Sequence, residues 1–344
     1  MPACKDNPGV PAVGVEVKIF DPRDPAMGMA GAEVTDASVV ERNGQWWMFL
    51  AGQAAGYGPT DLFSASLPAG AALGATGWKL TSGLHGQPAP LAGRSQSGVW
   101  DGQGGRHCPS YVRGWDPQKG AWAERIYYAG AAESLAGPYA IGFLEWDGER
   151  WVDQPEPVLT AQADWEKGSV CEPNLVYHDG LWRMWYAAVA NHLGYVAHGY
   201  AESQDGCNWK RHVLFAPPEM TMFDFCVRER NGGFDAIFSR VWLFREGAPP
   251  PETGLWWCRA DTPSGTLADW SRPVQILTAE DRGWHAGPFK PCLQFVSRED
   301  ERGFVFFDGL YRTSDPGPFP FALTLGCLPI HLPAHPVATE PPRL

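Results

Sequence analysis

Three carboxylates in this chain stand at matching points of a repeated phrase. Asp36 precedes ASVVERNGQWWMFLAG, Glu172 precedes PNLVYHDGLWRMWYAA, and Asp224 precedes FCVRERNGGFDAIFSR. In each copy the turn glycine (Gly44, Gly180, Gly232) follows the acid by eight residues, so the three acids share one register. Two further copies begin at Cys108 (CPSYVRGWDPQKGAWAERIYYAG) and Lys290 (KPCLQFVSREDERGFVFFDG) and have longer turns. Aligning on the proline that follows (Pro109, Pro173, Pro291) puts Cys108 and Lys290 in the same slot as the acids. Carboxylates held apart across a cavity can act as general acid and general base, which makes Asp36, Glu172 and Asp224 the candidate catalytic groups. Glu172 lies between Cys171 and Pro173 in an apolar strand, where burial raises a carboxyl pKa and suits it to the acid's role. The structural alternatives are an Asp paired with a nearby arginine and a Glu that bridges two repeats.

Lys290, in GWHAGPFKP, brings a cation into the slot, either to neutralise the acids or to bind a carboxylate or phosphate. His107 and His285 lie near the same positions, each open to reading as a proton carrier, a water-bridged metal ligand or a core histidine. Cys108 follows His107 directly, and neighbours on a strand point to opposite faces, which argues against a Cys–His nucleophile. Trp100, Trp115, Trp165 and Trp284 fall in loops near the slot, where an aromatic face stacks on a sugar ring or a cation, or covers a core edge. Trp46, Trp182, Trp185 and Trp209 recur within the repeats and read as core between them.

The elements that must position these groups are strands. The chain has 344 residues with 40 Gly, 32 Pro and 17 Trp, and short aromatic runs bounded by Gly, Pro and Asp recur where helical periodicity is missing. Each phrase reads as a hairpin, with Asn-Gly as a turn signal in the first copy. A third and a fourth strand follow, as in DLFSASL then GWKLTS, YAIGFLEW then ERWVDQ, GYVAHGYAES then NWKRHVLF, and GLWWCRADT then VQILT. The last copy ends in FALTLGCLPI, and a strand near VEVKIF is expected to complete it. The slot residues are 72, 64, 52 and 66 positions apart, so five units fill the chain. The expectation is an all-β fold, a five-bladed β-propeller with four-stranded antiparallel blades, forming a single domain over residues 1–344. The innermost strands then begin at one mouth of a central channel, where the slot residues face one another.

Composition narrows the partners. The formal net charge of −12 disfavours nucleic acid and anionic membrane, both of which need basic patches, and leaves a small-molecule substrate. No stretch reaches the ~18 apolar residues of a membrane span, and MPACKDNPGVPAVG carries no secretion signal, so a cytoplasmic location is expected. Eight cysteines without a CxxC pair read as free thiols, not a zinc site. No cofactor is expected; a channel calcium held by carboxylates and water would have no dedicated loop.

The segment VCEPNLVYHDGLWRMWYAA, followed by GYVAHGYAESQDGCNWKR with its Ser-x-Asp-Gly-x-x-Trp, resembles the phrase repeated in five-bladed propeller glycosidases. These are the arabinanase and xylosidase group (glycoside hydrolase family 43), the invertase and levanase group (family 32) and the mannoside phosphorylases (family 130). The resemblance implies a divergent glycoside hydrolase-like enzyme acting on a small glycoside or oligosaccharide, with Asp36 as base or nucleophile and Glu172 as general acid. In such enzymes the carboxyls sit ~6.5–9.5 Å apart when inverting and closer when retaining. Those families place another Asp in the second blade, where this chain has His107-Cys108; Asp101, in VWDGQGG, or Asp224 is the candidate substitute. His107, Lys290, His285, Trp100, Trp284, Asp101 and Arg228 are the candidate substrate-binding residues, and Lys290 with Arg228 or Arg240 can serve a phosphate. Two other readings keep the scaffold. One is a lyase, cyclase or dehydratase that moves protons with Glu172, His107 and Lys290; the other is a sugar-binding protein without turnover.

Overall fold

The computed structural model describes residues 10–54, 59–81, 88–93, 99–134, 136–190, 194–241, 251–312 and 321–333. Two short strands, β1 (Ala12–Val13) and β2 (Val17–Phe20), precede five blades. The first blade is β3 (Met29–Arg42), β4 (Gln45–Ala54), β5 (Asp61–Ser66) and β6 (Lys79–Leu80). The second is β7 (Gly105–Asp116), β8 (Ala121–Ala131), β9 (Tyr139–Trp146) and β10 (Trp151–Asp153). The third is β11 (Val170–His178), β12 (Leu181–Ala190), β13 (Tyr195–Ser203) and β14 (Lys210–Ala216). The fourth is β15 (Phe225–Arg230), β16 (Gly233–Arg240), β17 (Gly254–Ala260) and β18 (Val274–Thr278). The fifth is β19 (Gly287–Phe295), β20 (Arg302–Arg312) and β21 (Phe321–His331), completed on its outer side by β2, with Val17 opposite Cys327. The expected five-bladed β-propeller with antiparallel blades is therefore the observed fold, and the VEVKIF segment supplies its closing strand.

The turns explain the shared register. Asn43-Gly44, Asp179-Gly180 and Asn231-Gly232 each have positive φ at both residues, from 48° to 72°. Such two-residue turns match the strand twist and favour Asn or Asp followed by Gly. Apolar side chains on the faces of the blades meet their neighbours in separate cores. Phe49, Leu62, Ile126 and Trp151 fill the boundary of blades one and two, and Val112, Tyr127, Trp182 and Tyr186 that of two and three. Trp185, Tyr200, Phe225 and Trp270 fill the next boundary. Ile237, Trp257, Leu293 and Phe307 follow, and Val39, Met48, Phe306 and Leu325 close the circle. Among the described residues no helix is long and apolar enough to cross a membrane.

Polar side chains bind the innermost strands to one another. Ser38 Oγ accepts from the Tyr111 N–H at 2.9 Å, and Ser110 Oγ from the Leu175 N–H at 3.2 Å. Asn174 Oδ1 accepts from the Val227 N–H at 2.8 Å. Cys226 Sγ accepts from the Leu293 N–H at 3.3 Å, and Cys292 Sγ from the Val39 N–H at 3.3 Å. Every acceptor stands two residues after its slot residue and every donor three after the next, so five hydrogen bonds close around the axis. Ser110→Ala removes the acceptor of a buried N–H and should lower the free energy of unfolding by about 1–3 kcal/mol. Ser110→Cys, which copies the thiol acceptors of blades four and five, should retain most of the stability. Urea unfolding followed by tryptophan fluorescence checks both, and an equal loss in the two variants would rule out the hydrogen bond as the cause.

Candidate active site

Four of the five slot residues have left-handed backbone: φ is 62° at Asp36, 55° at Cys108, 50° at Glu172 and 49° at Lys290. A non-glycine residue there costs roughly 1–2 kcal/mol. Each coincides with a break in strand pairing, between Thr35 and Ser38, His107 and Ser110, Cys171 and Asn174, and Phe289 and Cys292. These are bulges, which re-aim a side chain away from the regular alternation, here toward the channel. Proline follows in three of them because a bulged residue leaves the ladder and needs no N–H. Asp224 stands one residue before β15 without this device and is held by the Ser239 hydroxyl, 2.7 Å from its Oδ2.

The channel is lined by Asp36, Cys108, Glu172, Asp224 and Lys290, with Arg228 and four of the interblade acceptors (Ser38, Asn174, Cys226 and Cys292) also in its wall. The Lys290 ammonium bonds directly to Asp36 Oδ1. It lies 3.1 Å from Glu172 Oε1 and 3.8 Å from Cys108 Sγ. Backbone donors continue the circle: the Cys108 N–H to Asp36 Oδ2 at 2.9 Å, and the Lys290 N–H to Asp224 Oδ2 at 2.8 Å. Asp308, fully buried on β20, accepts the Asp36 N–H at 3.0 Å and the Thr35 hydroxyl. Asp224 Oδ1 is buried without a hydrogen bond among the described residues.

Burial and one cation set the proton inventory. Burial lifts the Asp36 carboxyl, but the Lys290 ammonium overrides it and holds Asp36 below the usual carboxylate range. At Glu172 burial prevails over Lys290 and, with the nearby Asp36 charge, raises the pKa. Burial and the Glu172 charge push Asp224 well up, and burial and the Asp36 charge do the same to Asp308. Lys290 resists the cost of its own burial through Asp36, Cys108 and Glu172 and stays a cation. The Cys108 thiol is pushed up by burial and by the Asp36 and Glu172 charges. Asp36, Cys108 and Glu172 present atoms within 4.8 Å of one another, the spacing of a cation site, and the Lys290 ammonium contacts all three. A thiol among the donors does not match the all-oxygen set that calcium takes. Free space at the ring is ≈ 50 Å³, room for water and not for a sugar ring.

Most of the other sequence candidates lie elsewhere. Asp101 is buried in a structural pair, its Oδ2 accepting from Arg106 Nε and from the Tyr128 hydroxyl at 2.7 Å each. Trp100 stacks on Tyr128 at 5.4 Å and covers Gly130 and Gly142. His285 is buried with Nε2 3.4 Å from Glu16 Oε1, and Trp284 packs beside it over Gly309 and Gly326. Both are thus drawn into the body of blade five. His107 places Nε2 3.2 Å from the Gly104 carbonyl and meets Tyr139 edge-on. Arg228 is in the channel wall. Asp308 was not among the candidates, although its sequence carries a signal. The positions paired one residue before the slot are Ala51, Ala129 and Ala187 in blades one to three and Asp308 in blade five.

No family model matches this chain, and no curated protein matches it in sequence. Solved structures do match. A family 117 glycoside hydrolase from the marine bacterium Zobellia galactanivorans superposes with a TM-score of 0.64 at 12% identity, over 97% of this chain and 93% of that one. A thermostable family-43 glycoside hydrolase gives 0.60 at 15%, over 92% and 98%. The α-L-arabinofuranosidase of Podospora anserina, in complex with cellotriose, gives 0.58 at 12%, over 92% and 96%. At these identities the likeness is one of fold: the chain has the five-bladed propeller of these glycoside hydrolases, and the lengths correspond almost end to end.

Asp224 and Asp308 keep protons in the folded chain that they release on unfolding once the pH exceeds the ordinary value of 3.8. Each therefore makes stability fall as the pH rises from that value toward its folded pKa. Asp308→Asn cannot release a proton, so its melting temperature should fall less than that of the parent between about pH 4 and pH 7. Parallel slopes in calorimetry would contradict a protonated Asp308.

Proposed function

We propose that this chain is a glycoside hydrolase-like enzyme that acts on a small glycoside or oligosaccharide lying over the channel mouth. Glu172 is the general acid, and Asp36 is the ionised base or nucleophile. The observation that carries this reading is the division of two carboxyls around one ammonium: Lys290 lowers the pKa of Asp36 while burial raises that of Glu172. Neighbouring carboxyls pushed apart in this way are the usual basis of an acid–base pair. The Glu172 proton passes to the glycosidic oxygen as its bond to the anomeric carbon breaks. The Asp36 carboxylate either takes a proton from the attacking water or attacks that carbon itself. The sugar ring cannot enter the ≈ 50 Å³ beneath, so only its reacting edge meets the acids. The fold shared with glycoside hydrolases, one of them holding cellotriose, supports a sugar as the substrate. In this reading Lys290 is the resident cation of the three-donor cluster, and a channel calcium would have to displace it.

One observation favours a second reading, a lyase, cyclase or dehydratase on a small metabolite. The second-blade slot holds the neutral Cys108 where the resembled glycosidases place an Asp, and the fifth-blade slot holds a cation. An ammonium there stabilises negative charge that develops on a substrate oxygen, with Glu172 or His107 moving the proton.

Glycosides with good and poor leaving groups separate the two. Glu172→Gln should lower turnover of the poor leaving group by about 10²–10⁴-fold and affect the good one less, with the fold preserved by circular dichroism. A variant with undiminished turnover would remove Glu172 from the mechanism, and no turnover of any glycoside by the parent would favour the second reading. The parent's pH–rate profile should have an acid limb below the ordinary Asp value of 3.8 and a basic limb above the ordinary Glu value of 4.5. Lys290→Met removes the charge that depresses Asp36, so its acid limb should move to higher pH. An unmoved limb would mean that Asp36 is not the group observed.

A further inference from the structure

Below the acids the channel holds a second cluster, Cys226, Cys292 and Arg228. Among the described residues four deeply buried arginines have carboxylate partners. Arg106 bonds Asp101 at 2.7 Å, Arg125 bonds Asp116 at 2.6 Å, and Arg230 and Arg259 share Asp235 at 2.8 and 2.7 Å. Arg228 has none among the described residues. Its Nη1 donates to the Val227 carbonyl at 2.8 Å and its Nη2 lies 3.8 Å from Cys292 Sγ. The groups near this guanidinium include two thiols, which come from adjacent blades and hold equivalent places in the interblade circle; Cys226 Sγ accepts, at 3.3 Å, from the N–H of Leu293, the residue that follows Cys292. A channel-lining thiol beside a positive charge is the setting in which cysteines react.

We propose that Cys226 and Cys292, with Arg228 beside them, form a peroxide-reactive dithiol site that closes to a disulfide between blades four and five. This site shares the channel with the acid ring but uses none of the ring's own residues, and it holds whatever reaction the acids perform. Cys226 is the attacking sulfur. Its Sγ accepts the Leu293 N–H at 3.3 Å, and the neighbouring Cys292 thiol, with Arg228, draws the Cys226 thiol below its ordinary value against the effect of burial while Cys292 is pushed up. The Cys226 thiolate attacks one oxygen of hydrogen peroxide, the O–O bond breaks, and the departing hydroxide takes up the proton that the Cys226 thiol had given up and leaves as water, giving Cys226 sulfenic acid. The Cys292 sulfur then attacks the Cys226 sulfur, the S–O bond breaks, and the departing oxygen takes the Cys292 proton to leave as a second water. The two thiols lose two electrons and the peroxide gains them. The water-sized space admits a peroxide and excludes bulky disulfides.

The test uses the full chain treated with hydrogen peroxide and digested without reduction. The expected product is a linked peptide pair containing Cys226 and Cys292. Cys292→Ser keeps an acceptor for the Val39 N–H, as Ser38 and Ser110 do in blades one and two. It should stop at the sulfenic acid on Cys226, trapped as its dimedone adduct. Cys226→Ser should give neither adduct nor link. Arg228→Gln should slow adduct formation by about tenfold or more, since a neighbouring cation sustains the thiolate. Recovery of both cysteines as free thiols after peroxide, or adduct formation in the Cys292→Ser chain at a rate indifferent to Arg228→Gln, would overturn the proposal.

Discussion

The hydrogen bonds that run from blade to blade around the axis are the constraint on which the site depends. Blades two, three and four are separate sheets, and one parallel pair, Leu323 with Glu33, joins blade five to blade one. Apolar packing between blades is not directional and would tolerate sliding of one innermost strand along another. A side-chain acceptor two residues after the slot, bonded to the N–H three residues after the next slot, removes that freedom. The acceptors differ in type (serine, serine, asparagine, cysteine, cysteine) but hold one place in the register, so the five slot residues lie at one level.

Because the level is fixed, backbone strain can be held in it. Four non-glycine residues with positive φ lie in one circle, and such conformations persist where the surroundings over-determine them. The N–H of one strained residue, Cys108, and that of another, Lys290, each donate to the carboxylate of the preceding slot. Asp36 places its own N–H on Asp308. The strained backbone is therefore part of the hydrogen-bonding of the acids, and a change in one slot reaches the next through main-chain atoms.

This organisation explains what was legible in the sequence. Position within a repeat is visible in a single chain because Asn-Gly and Asp-Gly turns and the prolines after the slot mark it at fixed offsets. Asp36, Glu172, Asp224 and Lys290 emerge together for that reason, and so does the propeller. Loop residues carry no such register. Trp100, Trp284, His285 and Asp101 are near the slot in sequence, but glycines at positions 130, 142, 309 and 326 leave room for the two indoles against the blades, and Arg106 and Glu16 take the two polar groups. Asp308 was hidden for another reason. It is on the second strand of its blade, where the informative comparison is with the alanines at positions 51, 129 and 187, and only strand pairing brings those positions into line.

The charge of the ring limits the reactions it can favour. Asp224, Asp308 and Cys108 are pushed well up and Glu172 is raised, while Asp36 is lowered by the Lys290 ammonium, so the opposed charges in direct contact are those of Asp36 and Lys290. A second-blade carboxylate would leave net negative charge facing a transition state of oxocarbenium character; Cys108 provides none. Positive charge on a sugar would then have to draw on Asp36, and negative charge on a substrate oxygen would have to draw on Lys290. Either demand falls on the same ion pair, which must loosen as charge develops. Its low-dielectric surroundings make that separation costly, so the barrier depends on how far the substrate replaces the partner that is given up. A bond from Asp36 to the reacting carbon, or a substrate oxygen received by Lys290 in its place, restores what is lost. In the proposed reaction the ion pair is thus at once what lowers the Asp36 pKa and what a substrate has to open.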